Sequence, residues 1–133
     1  MAFIDATTTG SVAINNDFDV SKKIPIDLRF PGRTTRFIGK ISMITVFCEN
    51  LSAVSKPTQL TIALFKDSTC DQALITDTTA LISYGLTTST KGSAIYKLDG
   101  IGSMSSGDDC YLVCKTNQGS CDVYESCITW EIV

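Results

Sequence analysis

The residues with the widest chemical reach in this sequence are its six cysteines, Cys48, Cys70, Cys110, Cys114, Cys121 and Cys127. A thiolate can attack an electrophile, bind a soft metal or close a disulfide. Each use needs company. Nucleophilic cysteines lean on a base, most often histidine, and the chain has no histidine. Structural zinc sites favour tight cysteine pairs, whereas Cys110, Cys114, Cys121 and Cys127 are spaced too widely to form two such knuckles. A disulfide is best placed between Cys114 and Cys121. If Thr116 to Gly119 closes a hairpin in which Lys115 faces Ser120, those two lie opposite each other at cross-strand distance. The simpler expectation is that the cysteines are reduced, small apolar residues filling a core.

The carboxylates are thin as catalysts. A sugar-cleaving pair needs two of them across one bond, yet Asp108 and Asp109 share a loop while Asp122, Glu125 and Glu131 sit at outward strand positions. Asp67, Asp71 and the Asp108–Asp109 pair could face a calcium ion from loops, although the regular spacing of a calcium-binding helix–loop–helix is missing. Gly100-Ile101-Gly102 lacks the third glycine and the helix of a phosphate cradle. No catalytic residue, cofactor or metal is expected, and the chain is read as a protein that is not an enzyme. Tyr84, Tyr96, Tyr111, Tyr124 and Trp130 could stack on a sugar, but aromatics in a small domain usually fill its core.

Charge is segregated along the chain. Lys22, Lys23, Arg29, Arg33, Arg36 and Lys40 stand against the single anion Asp27 within residues 22–40, while acidic residues dominate on both sides. Such a basic segment is either one solvated strand pair or a face that meets an acidic partner surface. It is taken here as a candidate contact surface, together with the loops 51–58, 86–93 and 100–109. Direct nucleic-acid binding is not expected. No flexible basic arm is present, and aromatics do not interleave with the cations.

The elements that must hold these residues read as strands. The composition, 44% hydrophobic and 19% charged over 133 residues, is that of one globular domain. Apolar residues recur every second position, as at Ile24, Ile26 and Leu28, at Ile44, Val46 and Cys48, and at Leu60, Ile62 and Leu64. Pro25 predicts an edge strand or a strand start. Residues 36–50, apolar on both faces, predict a central strand. The expected fold is all-β, a two-sheet antiparallel β-sandwich with jelly-roll topology. An immunoglobulin-like sandwich is the alternative, although the only tryptophan, Trp130, follows every cysteine and so departs from its Cys–Trp–Cys order. Residues 22–133 would form the sandwich, and residues 1–21 an extension or docking tail with a first strand within it. No apolar run approaches the roughly 20 residues of a membrane span. The amino terminus lacks the basic start and apolar stretch of a secretory signal, so synthesis in a cytosol is expected.

Two stretches carry a family resemblance. The segments 106–115 (SGDDCYLVCK) and 126–133 (SCITWEIV) resemble the closing strands of small viral jelly-roll proteins, and 59–67 (QLTIALFKD) is similar to a middle strand of the same group. The likeness extends to the trimeric complement and tumour-necrosis-factor type of jelly roll. It implies a virion structural component, a minor capsid, penton, decoration or fibre-head protein, whose partners are copies of itself and other virion proteins. The missing basic arm departs from capsid proteins that package RNA directly. A carbohydrate- or receptor-binding module is the other reading.

Overall fold

The computed structural model describes residues 2–27, 38–84, 90–105 and 109–132, and side chains within 10–26, 40–84, 90–98 and 110–129. Nine strands are described, and their pairing is nested. β1 (Ala2–Ile14) pairs with β9 (Cys121–Ile132), β2 (Ile24–Asp27) with β8 (Asp109–Thr116), β3 (Ile38–Glu49) with β7 (Lys91–Ser105), and β4 (Gln59–Phe65) with β5 (Ala73–Ala80). One long hairpin rolled over itself gives this order. Two further ladders, β3 with β9 and β4 with β8, close the roll. The result is a five-stranded sheet, β1-β9-β3-β7-β6, opposed to a four-stranded sheet, β2-β8-β4-β5. The short strand β6 (Ile82–Tyr84) is added at the β7 edge. This is the jelly roll. The immunoglobulin-like alternative groups its strands differently and does not form.

Alternation decides what faces inward. Ile24 and Ile26, Ile44, Val46 and Cys48, Leu60, Ile62 and Leu64, and Cys110, Leu112 and Cys114 are all buried between the sheets. Each buried Leu or Ile contributes about 1.5–3 kcal/mol of hydrophobic stabilisation. Pro25 lies in β2, at the edge of its sheet, where its missing N–H breaks no ladder. The run 38–49 is central, flanked by β9 and β7. A register shift between Ile41 and Met43 puts Ile41 inside with Ile44, so the strict alternation expected there is broken once.

Residues 2–14 form a strand paired along most of β9. Three boundaries differ from the sequence reading. Residues 100–105, expected in a loop, extend β7 opposite β3. β9 is one strand where the sequence suggests two, 121–125 and 127–133, and a bulge inserts Tyr124 between the ladder positions of Val123 and Glu125. The segment 116–119 does not close a hairpin. β8 and β9 belong to opposite sheets, so this connection crosses from one layer to the other. Among the described residues, no helix is long and apolar enough to cross a membrane.

Candidate functional site

The layer crossing changes the cysteine geometry. Cys114 and Cys121 are not ladder neighbours; they face the core from the two opposed sheets. Cys48 joins them from β3. Cys48, Cys114 and Cys121 are free thiols. A hydrogen bond with Cys121, and then burial, hold the Cys48 thiol well above its ordinary pKa. Burial, and then Cys121, do the same for Cys114. A raised pKa disfavours the thiolate, which is the reactive form. Cys110 Sγ donates to Ile26 O at 3.6 Å. Cys70 and Cys127, half-buried, are also shifted upward, chiefly by burial. Among the described residues no group of three or more Cys, Asp or Glu is placed to hold a metal ion.

Asp67 and Asp71 flank the β4–β5 turn and serve it. Asp67 Oδ2 accepts Asp71 N at 2.9 Å, and Thr69 Oγ1 lies 2.5 Å from Asp67 and 2.8 Å from Asp71, donating to one at a time. The Asp71 N–H, then the Thr69 hydroxyl, hold the Asp67 carboxyl below its ordinary value. Of the remaining acids, Asp122 accepts from Asn50 Nδ2 at 2.9 Å. Asp108 and the side chains of Asp109 and Glu131 lie outside the described residues.

The basic segment is described in part. Lys22 ends and Lys23 follows a turn of 3-10 helix (Val20–Lys22) capped by Asp19, whose carboxylate accepts Ser21 N at 3.0 Å. Lys23 donates to Ser68 O and sits 5.2 Å from the Tyr111 ring centroid. That contact tethers the β1–β2 loop to the β4–β5 turn. Lys40 is exposed on β3 at the ladder position opposite Glu131. Arg29, Arg33 and Arg36 lie outside the described residues.

Four expected loop or aromatic features sort differently. Tyr96 is a core residue; its hydroxyl donates to Leu60 O at 2.5 Å, and burial pushes its pKa up. Loop 51–58 is tied to the β8–β9 crossing. Ser52 N donates to Ser120 O at 2.9 Å, and Ser120 N returns a bond to Ser52 Oγ at 3.0 Å. Asn117 Oδ1 accepts Thr58 N and Gln59 N, both at 3.0 Å, while its Nδ2 donates to Thr58 Oγ1 at 2.9 Å. Gln118 Nε2 donates to Lys56 O at 2.8 Å. Gly119, at φ 64°, fits because it has no Cβ, which would stand 2.0 Å from Ser55 O. Of the segment 86–93, residues 86–89 are outside the described part and 91–93 belong to β7. Tyr111 is half-buried under Lys23.

The surface that sequence reading missed is the outer face of the five-stranded sheet at its β6 edge. Ile82, Ile95 and Tyr84 are 62%, 51% and 45% exposed. Register sets Ile82 beside Ser93 and Tyr84 beside Lys91, and Ile95 lies two residues along β7 from Ser93. Inboard, the Phe47 and Tyr124 rings meet at 6.3 Å, and Lys91 Nζ lies 5.6 Å from the Tyr124 centroid. Tyr84 and Tyr124 hydrogen bond; burial first, then Tyr84, raises the Tyr124 pKa. The signal was in the pattern. In Ala94-Ile95-Tyr96-Lys97-Leu98, alternation sends Ile95 outward with Lys97.

No family model matches the sequence, and no curated protein aligns with it. Among solved structures, the chain is similar to a chain of Cocksfoot mottle virus at 6% identity and TM-score 0.34, covering 96% of this chain and 83% of that one. It is also similar to a family GH115 4-O-methyl-alpha-glucuronidase with specificity for decorated arabinogalactans, at 14% identity and TM-score 0.35, covering 95% of this chain and 17% of that one. A third likeness is to the infectious bursal disease virus VP2 subviral particle, at 12% identity and TM-score 0.29, covering 99% of this chain and 41% of that one.

Proposed function

We infer that this chain is a non-enzymatic virion structural protein, a minor capsid, penton, decoration or fibre-head component that joins copies of itself and other virion proteins. The observation that carries the reading is the nested pairing of β1–β4 with β9, β8, β7 and β5. Together with the resemblance of segments 59–67, 106–115 and 126–133 to viral jelly-roll strands, it makes assembly the best use of this architecture. The chemistry agrees. Its core thiols are held protonated by their contact with Cys121 and by burial, its turn carboxylates are engaged by their own loops, and among the described residues Ile82, Tyr84 and Ile95 leave an apolar patch exposed. A rigid block with such a face suits protein–protein contact. The protein would be made in the host cytosol and reside in the virion.

Density-gradient purification of particles from the source, probed with an antibody to this chain, tests the reading. Co-sedimentation at fixed stoichiometry is expected; absence from particles, or turnover of any substrate, rejects it. Exposed Tyr84 beside Tyr124 favours a second reading, a carbohydrate- or receptor-binding module with an aromatic stacking surface. Specific retention on a glycan array by a chain that is absent from particles would select it.

A further inference from the structure

The end of β3 and the start of β9 bring two thiols into contact inside the sandwich. Cys48 and Cys121 are 0% and 1% exposed, and their strands share a ladder. Cys48 lies opposite Val123, so Cys121, two residues away, is its diagonal neighbour on the same inward face. The two side chains hydrogen bond to each other. Bonds just beyond them fix the chains. Asn50 Nδ2 donates to Asp122 Oδ2 at 2.9 Å, and Ser52 N donates to Ser120 O at 2.9 Å. Cys114, the third thiol here, comes from the opposite sheet. Packed sheets stand about 10 Å apart, whereas a disulfide joins Cα atoms within roughly 7 Å. Register and layer together single out Cys48 with Cys121. A diagonal pair lies at the upper limit of that reach, and here the ladder can give. Register breaks between Phe47 and Cys48, Glu49–Asp122 is the last ladder pair, and Cys121 is the first residue of β9. A bulge beside one thiol and a strand end at the other allow the short approach the bond needs.

We propose that Cys48 and Cys121 are a redox pair, which closes as a core disulfide between β3 and β9 when the chain meets an oxidising compartment. The oxidant is a small disulfide of the glutathione type, RSSR. One protein thiol, as its thiolate, attacks a sulfur of RSSR. A mixed disulfide forms, and RS⁻ leaves and takes up the proton. The second protein thiol then attacks the protein sulfur of that mixed disulfide, and the second RS⁻ leaves with the second proton. Two protein thiols and RSSR become one protein disulfide and two RSH, so the protein loses two electrons and two protons and RSSR gains them. In the closed sandwich burial keeps both sulfurs from RSSR and keeps them protonated. Reaction therefore passes through local opening of the core. Opening sets the rate, and the proximity of the two thiols in the folded chain sets the equilibrium. A reducing cytosol maintains the thiol form, and an oxidising exterior favours the bond. The loop it closes runs from β3 to β9, and a crosslink across a long loop restricts the unfolded chain strongly.

The pair does not depend on the assembly reading, and the full chain alone tests it. Reduced protein is held with excess oxidised glutathione under native conditions, then alkylated, digested and mapped by mass spectrometry. One linked peptide pair, Cys48 to Cys121, is expected, with Cys110 and Cys114 alkylated and the intact mass lower by two hydrogen atoms. The unfolding temperature rises by roughly 10 °C and returns on addition of dithiothreitol. Cys48→Ala and Cys121→Ala each abolish the loss of two hydrogens, and Cys114→Ala keeps it, with circular dichroism verifying the fold of each. Should a variant fail to fold, the map of the unsubstituted chain decides alone. A link through Cys114 overturns the proposal. So do glutathione adducts at Cys70 and Cys127 with Cys48 and Cys121 left free, and a link that forms only in urea. An oxidised chain whose unfolding temperature is not raised overturns it as well, since the strands then fail to accommodate the bond.

Discussion

Two regions have opposite physical characters: the loop 51–58, which the sequence offered as a contact surface, and the strand around Ile82, which it did not. The loop satisfies itself. Ser52, Thr58 and Gln59 exchange hydrogen bonds with Asn117 and Ser120 of the β8–β9 crossing, and Leu51 and Pro57 are buried beneath it. β6 does not. Among the described strands it has one neighbour, and Ile82 stays 62% exposed. The lesson is that loops which look like natural binding surfaces can spend their polar groups on closed hydrogen-bond systems, even where an apolar side chain such as Val54 stays exposed. A short plain strand at a sheet margin can be the open one.

That contrast can be broken by substitution. The largest effect is expected at Gly119→Ala. An added Cβ meets Ser55 O at 2.0 Å and Ser52 Oγ at 2.2 Å, and the backbone already stands at φ 64°. Loop and crossing must separate, with a loss of about 3 kcal/mol measurable by urea unfolding. Asn117→Ala removes three side-chain bonds to Thr58 and Gln59 while leaving the backbone path intact. A loss of about 2 kcal/mol follows, with hydrogen exchange accelerated at Thr58 and Gln59. The smallest effect belongs to β6. Ile82→Ser should change the unfolding free energy of the dilute chain by less than about 0.5 kcal/mol, because an exposed side chain with little packing has little to lose. If Ile82→Ser destabilises the monomer as strongly as Asn117→Ala, β6 is part of the core and the contrast fails.

Much of the architecture was legible because burial has period two. Ile24, Ile26, Leu60, Ile62, Leu64, Cys110 and Leu112 all face inward as their spacing predicts, and Pro25 marks an edge. What escaped was nonlocal. Thr116 to Gly119 has the composition of a hairpin turn, yet nothing within it tells whether the flanking strands pair or part into different sheets, so the expected Cys114–Cys121 register was misplaced. Residues 100–105, rich in Gly and Ser, have weak strand propensity; pairing with β3 overrides it. Within residues 1–21 a first strand was expected but not its partner, and β9 supplies the ladder. The apolar strip lay in view at Ile95. Its meaning required knowing that β6 stands at the margin.

The position of β9 has a temporal consequence. It lies between β1 and β3, although both are translated long before it. While Cys121–Ile132 remains in the ribosome, β1 has no ladder on the side β9 will take, and β3 can engage only β7. The larger sheet therefore cannot be completed as the chain emerges; it closes around a late arrival, inserted between its edge strand β1 and its central strand β3. Folding that waits on contacts so distant in sequence is slow, and nascent chains spend that wait with sheet edges uncovered. Late cover for these edges is thus a property written into the strand order itself.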